Sequence, residues 1–304
     1  PDLRTKIQRR MKTVFEDYSN SNHRNRIAAV ESFKELNFHT NYRVLEMGNP
    51  LNTARTSFFH KSIGGYSAVK IKRFQEMIDF YFQKDYSLLN RVLKNNQFEL
   101  LSNANFFNML NTKYYIFELN NNGVFDLTKP VNNKPGVIKN PYALGNAWSI
   151  ENINWVNSPD QEIIAIYDSS FSPKNSVIID EKYKDYIGDL NPSGFAKIDM
   201  IKYKANQISY EYESQNENFI VFSEVFYDKG WKAYIDDKEV NHIRVNYILR
   251  GLKVPSGKHN IEFKYDLPIY HTSSMVSLTG SLLIILLLLG LGYFRLTGRE
   301  IPDI

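Results

Sequence analysis

The chain has 304 residues, long enough for two domains with cores of their own. Hydrophobic residues make up 43% and charged residues 23%, which excludes disorder as the default; the absence of cysteine excludes disulfides, thiolate catalysis and thiolate-held zinc. A formal net charge of +4, from 37 basic and 33 acidic residues, is too small and too spread out for a nucleic-acid footprint, so no nucleic-acid partner is expected.

Residues 1–36 predict two helices, with apolar residues at three- and four-residue spacing in MKTVFEDY and RIAAVESFKEL and Ser21 or Asn22 as a cap between them. The basic run Arg4, Lys6, Arg9, Arg10, Lys12 reads either as a solvated helix face or as a segment near anionic head groups. The chain opens Pro1-Asp2-Leu3-Arg4 without an apolar leader, so delivery across a membrane is expected to depend on upstream membrane helices. A strand is predicted at Tyr42–Met47, ended by Gly48-Asn49-Pro50. After Gly64-Gly65 comes a helix with Val69, Phe74, Met77, Ile78, Tyr81 and Phe82 on one face; LLNRVL and FFNML add helical turns. Lys113–Leu119 is a strand, and an Asn-rich loop with Gly123, Pro130, Pro135 and Gly136 closes the first domain.

From Trp148 onward, short apolar or alternating runs recur between turn signals: EIIAIYD, SVIID, AKIDMIKYK, QISYEYES, NFIVFSEVF, KAYIDD, HIRVNYILRGLKV and HNIEFKYD. That pattern predicts an antiparallel β-sandwich, with hairpin turns at Asp236–Glu239 and Pro255–Lys258. Ser273–Phe294 carries no charge over about 22 residues, enough to cross a bilayer core of about 30 Å as a helix. Arg295 and Arg299 follow at once, so the tail is expected in the cytoplasm and all that precedes Ser273 outside it. The expected fold class is α+β: a mixed α/β domain at residues 1–140, an antiparallel β-sandwich at 141–270, a transmembrane helix at 273–294 and a tail at 295–304.

Three blocks, taken in order ahead of the terminal apolar span, resemble the YfhO family of bacterial membrane proteins. They are HKSIGGYSAVKIKRFQEMID (His60–Asp79), MLNTKYYI (Met109–Ile116) with NPYALGNAW (Asn140–Trp148), and EVFYDKGWKAYIDDKEV through RGLKVPSGKHNIEFKYD (Glu224–Asp266). The Asn-, Lys-, Ile- and Tyr-heavy composition suggests an AT-rich genome, as in Bacteroidetes-like bacteria. The resemblance implies an architecture like that of C-type glycosyltransferases: many membrane helices in the cytoplasmic (inner) membrane, then an extracytoplasmic C-terminal region. It implies transfer of sugar from a polyprenyl-phosphate carrier to an envelope acceptor such as lipoteichoic acid. The family's catalytic acid belongs to an early loop between N-terminal helices, outside this sequence, so no catalytic residue can be carried over. The expected role is acceptor recognition beside an upstream transmembrane domain, in contact with membrane lipid; the alternative is a non-catalytic, membrane-anchored glycan-binding or scaffold module.

Candidate ligand-binding residues sit in two places. Gly64, Gly65 and Tyr66, with His60, Lys61, Lys70 and Arg73 around them, read either as a structural turn or as an anion-binding loop at a helix start. Trp231, between Tyr227 and Tyr234, reads either as a sandwich-core anchor or as a stacking platform for sugar rings. Asp228, Asp236, Asp237 and Glu239 have the residue types of a glycosidase pair, yet turn acids are usually solvated. The six histidines show no metal-ligand spacing, and neither metal nor cofactor is expected.

Overall fold

A computed structural model describes residues 41–48, 50–52, 56–57, 61–67, 69–119, 125–126 and 135–297. The expected helices of residues 1–36, the basic run Arg4–Lys12, and His60 lie outside the described residues.

Strand β1 (Arg43–Glu46) pairs in parallel with β2 (Thr112–Leu119), which also pairs antiparallel with β3 (Phe125–Asp126) and β4 (Pro135–Lys139). Between β1 and β2 the chain builds helices over this sheet. α1 (Lys72–Met77) passes through a π-helical turn (Ile78–Phe82) into α2 (Gln83–Asn95). A 3-10 turn (Phe98–Asn103) and α3 (Asn105–Met109) follow. Met77, Ile78, Tyr81 and Phe82 are buried as their spacing predicts, but Val69 precedes the helix and is 87% exposed.

β5 (Ala147–Ser149) leads into a second unit, in which β6 (Asn152–Val156) and β7 (Ser176–Asp180) pair in parallel across α4 (Pro159–Ala165). The strand expected from EIIAIYD is therefore a helix. Its cause is the preceding sequence: Ser158 accepts from the Gln161 amide as N-cap, and Pro159 occupies the first turn with Asp160 and Glu162. The expectation of purely antiparallel pairing also fails at SVIID, which lies parallel to β6 because a helix crosses between them.

After α5 (Lys184–Ile187) come two antiparallel sheets. One has the order β13 (Ile243–Val245), β14 (Leu249–Val254), β10 (Asn218–Val225), β5. The other runs β12 (Lys238–Val240), β11 (Trp231–Ile235), β15 (Gly257–Tyr265), β9 (Gln207–Ser214), β8 (Lys197–Lys204). Between them Tyr210 and Phe263 close on Phe222, with ring centroids 4.9 Å apart for both Tyr210–Phe222 and Phe222–Phe263. The opposite face of β10 and β14 supplies Phe219, Val221 and Leu249 to the larger core under the helices. That sheet is thus covered on both faces, which is why Phe219–Phe222 (FIVF) is a continuous apolar run rather than an alternation. The larger core continues across Asn140, joining Tyr115 and Phe117 to Trp148, Ile178 and Phe219.

Asp236 and Asp237 both adopt positive φ, 48° and 65°, as a two-residue hairpin turn between β11 and β12 requires. Pro255–Lys258 is not a hairpin, because β14 and β15 belong to different sheets and the chain crosses between layers there. β15 runs almost directly into α6 (Pro268–Thr297), whose segment Thr272–Tyr293 is long and apolar enough to span a membrane. None of that segment is buried against the rest of the chain, as a core helix would be.

Candidate functional site

The Gly64-Gly65 loop is tied to β1. The Val44 amide donates to Lys61 O at 2.8 Å and the Ile63 amide to Val44 O at 3.1 Å. Gly65 N–H donates to Pro50 O (2.7 Å) and Gly64 N–H to the Ser62 hydroxyl (3.0 Å). A Cβ on Gly64 would lie 1.9 Å from Pro50 O, so only glycine fits, and Gly65 has φ +125°. The double glycine thus permits a close backbone approach, and both of its amides are engaged within the protein.

The cations expected around this loop separate. Gly64, Gly65 and Lys70 line a groove of about 300 Å³ with Phe74, Ile78 and Val225, and Tyr66 stands 71% exposed beside it. Lys61 lies 3.0 Å over the Tyr203 ring; burial lowers its ammonium to about 8, with Glu224 opposing and Arg43 adding to the shift. Arg73 turns away, to Glu162 (3.4 Å) and over the Tyr247 ring (4.4 Å). Trp231 is partly buried at the sandwich, its face taken by the Arg250 guanidinium at 4.2 Å, so it stands between the two roles expected of it. The turn acids do not converge: Asp236 holds His259 (2.6 Å) and the Asn260 amide (2.9 Å), while Glu239 holds Lys232 (2.9 Å). Among the described residues no cluster of His, Asp or Glu could hold a metal.

A larger cleft, about 740 Å³, opens between α2, the 3-10 turn and the loop after α4. Its floor is Asp85, wholly buried. One carboxylate oxygen accepts from the Tyr167 hydroxyl, the other from the Phe107 amide at 3.3 Å near the start of α3. The Tyr167 hydroxyl in turn accepts from the Phe106 amide (3.2 Å), and its ring stacks on Tyr81 at 4.1 Å. Lys84 sits 4.2 Å over the same ring. Burial pushes the Asp85 carboxyl up to about 7, against the opposing pull of the Tyr167 hydroxyl, the two amides and Lys84. Burial and the Asp85 charge raise the Tyr167 phenol as well. A carboxyl near neutrality in a cleft can either donate or accept a hydrogen bond. Around it the rim carries Arg91, Ser102, Asn103, Ser169 and Ser172. With Lys84 and the exposed carboxylate of Asp168, the lining offers hydroxyls, amides and charges of both signs, a set able to hydrogen-bond a polar ligand. Sequence reasoning missed this cleft: Asp85 and Tyr167 are 82 residues apart, and neither stands in a motif.

A second buried carboxylate is structural. Glu162 receives Arg244 at 2.9 Å, Arg73 at 3.4 Å and the Tyr247 amide at 2.9 Å, joining α4 to α1 and to the β13–β14 turn.

Comparison with known proteins gives a consistent identity. The family described as "Bacterial membrane protein YfhO" matches residues 111–277, more than half of the chain. A curated relative, "Uncharacterized protein YfhO" of Bacillus subtilis (strain 168), is 24% identical over 114 residues, which is 38% of this chain and 13% of that protein. The chain therefore spans only a small part of that relative's length. No solved structure matches. With its matched region running through both antiparallel sheets into the apolar helix, the chain belongs to the YfhO family of bacterial membrane proteins.

Proposed function

We propose that this chain is the membrane-anchored, extracytoplasmic region of a multi-spanning, glycosyltransferase-like envelope protein, and that it recognises the glycan acceptor in the Asp85 cleft. The observation that carries this reading is the cleft itself: about 740 Å³, hydroxyl- and amide-rimmed, with Lys84 and Arg91 at its mouth and a buried carboxyl–phenol pair below. Transfer of sugar from a polyprenyl-phosphate carrier would be the work of upstream membrane helices, with this region holding the acceptor near them. The lipid carrier and the upstream transmembrane domain are then its partners, in the inner membrane of the bacterium.

Arg91 is exposed on the rim, so its removal tests the cleft without disturbing the floor. The full chain in detergent should bind anionic envelope glycans saturably in calorimetry. Arg91→Ala should weaken that binding about tenfold, as for one charge-assisted hydrogen bond, at an unchanged melting midpoint. Saturable binding that ignores Arg91→Ala would move the acceptor elsewhere; no binding would remove the reading.

Arg295 at the end of α6 supports a cytoplasmic tail and an extracytoplasmic region before the span. Because the chain has no cysteine, single cysteines at Lys238 and Thr297 report it directly. On intact cells an impermeant maleimide should label the first and spare the second. The reverse pattern would invert the topology.

A further inference from the structure

The end of the region from which α6 leaves carries an exposed apolar loop flanked by lysines. Tyr66, Val69 and Ile71 are 71%, 87% and 41% exposed within six residues, with Lys70 and Lys72 between and beside them. Single exposed apolar residues need no explanation, but three on one loop do.

Two chains of contact place this loop at the α6 end. Val225 lines the groove with Gly65, Lys70 and Ile71; a few residues on, Gly230 O accepts from the Asp266 amide at 2.8 Å, and a Cβ on Gly230 would touch Leu267, next to the first residue of α6. From the other side, Lys61 rests on Tyr203, which pairs with Ile208, which pairs with Phe263 near the end of β15. Exposed Lys204 and Lys229 lie at the same end, as do Asp228 and Asp266. Lys204 pairs with Gln207, and Gln207 with Lys264, so it sits roughly 13 Å along the strand direction from the helix start.

We infer that this end of the region rests on the bilayer, with Tyr66, Val69 and Ile71 seated at headgroup depth and Lys70, Lys72, Lys204 and Lys229 against the phosphates of an anionic leaflet. The inference depends on α6 spanning the membrane and is independent of acceptor binding. Three features favour lipid as the occupant. The surface lies at the end of the region from which the membrane helix leaves. Its four lysines outnumber its carboxylates, Asp228, Asp266 and Glu76, the last of which lies 3.7 Å from Lys72. Its apolar groups join a tyrosine, a residue enriched at the headgroup level, to two aliphatic side chains that gain by leaving water.

The test uses the full chain in lipid nanodiscs with an environment-sensitive fluorophore on a single cysteine at Val69, or at Lys258 as control. Lys258 is exposed near the opposite end of β15, about 23 Å of strand from Tyr265. Nitroxide-bearing lipid should quench the Val69 label and leave the Lys258 label bright. In discs containing phosphatidylglycerol the quenching should exceed that in phosphatidylcholine alone. High salt, or Lys70→Glu with Lys72→Glu, should cut it by about half. Equal brightness at both positions overturns the inference. A blue-shifted but unquenched Val69 label overturns it in favour of a protein contact. Quenching that appears only when polyprenyl phosphate is added overturns it in favour of a carrier-binding site. Melting midpoints of the labelled chains, expected unchanged because Val69 is exposed, exclude misfolding as the source of a negative result.

Discussion

Glu162→Ala should destabilise the fold by about 3–5 kcal/mol, the usual cost of leaving buried charges without their counter-charge. Glu162 is wholly buried, and it faces Arg244, whose side chain is 11% exposed, and Arg73, 26% exposed. Neither guanidinium can lose its charge. The loss would also strand the Tyr247 amide, which donates to Glu162 at 2.9 Å. Arg73 keeps its place over the Tyr247 ring, while among the described residues Arg244 retains only Asp180 as a counter-charge, at 4.0 Å. Glu162→Gln should cost less, because an amide oxygen still accepts from Tyr247. Urea melts of the two variants against the parent should rank in that order. A change below about 1 kcal/mol in Glu162→Ala, the range of exposed ion pairs, would show that water already reaches this site.

How far the sequence carries depends on the range of the interaction. The membrane helix is a local property: a bilayer demands a length and an absence of charge, and Ser273–Phe294 meets both. The α6 helix extends a few residues beyond it on each side. β9 and the Asp236-Asp237 hairpin are local too, through alternation and turn chemistry. The helix at Pro159–Ala165 was also written locally, in Ser158-Pro159-Asp160, but its apolar EIIAIYD outweighed the cap in a strand-rich context. The candidate sites behave differently. Gly64-Gly65 is visible as a motif, yet its reason is Pro50, whose carbonyl it must approach. Arg73 looked like part of that loop because it is near in sequence, while the partner that claims it, Glu162, is 89 residues away. Asp85 is an isolated acid within a helical stretch and Tyr167 one of 20 tyrosines. Only the packing of α2 against the loop after α4 makes them a pair, and no spacing rule encodes that.

Asp85 should make the wild-type chain lose stability, relative to Asp85→Asn, as pH rises from about 4 to about 7. Burial raises its carboxyl from 3.8 to about 7 in the folded chain. In that window the folded state holds a proton that the unfolded state has released, so each step up in pH favours unfolding. Below the unfolded value both states are protonated; above the folded value both are ionised and the full penalty stands. The difference amounts to about 4 kcal/mol at about 1.4 kcal/mol per pH unit. A plain pH–stability curve would hide it. Burial lowers His242 to about 4, so that group makes stability rise between about 4 and 6.5, opposite in sign over nearly the same range. His242 is common to both proteins, so subtracting the Asp85→Asn curve from the parent's removes it. The amide side chain of the Asp85→Asn variant has no charge to bury, although one of the two donors, the Tyr167 hydroxyl or the Phe107 amide, then loses its oxygen acceptor. That loss is independent of pH and shifts the difference curve without tilting it. Denaturant midpoints at closely spaced pH values would give the slope, and the carbon-13 shift of the Asp85 carboxyl would give the titration itself. Parallel curves, or a carboxyl titrating near its ordinary value, would mean that the Tyr167 hydroxyl and the amides of Phe106 and Phe107 outweigh burial, and that the cleft floor is a plain carboxylate at neutral pH. A titration near 7 instead leaves the floor half-protonated at neutral pH, able to act as donor or acceptor towards the Tyr167 hydroxyl beside it.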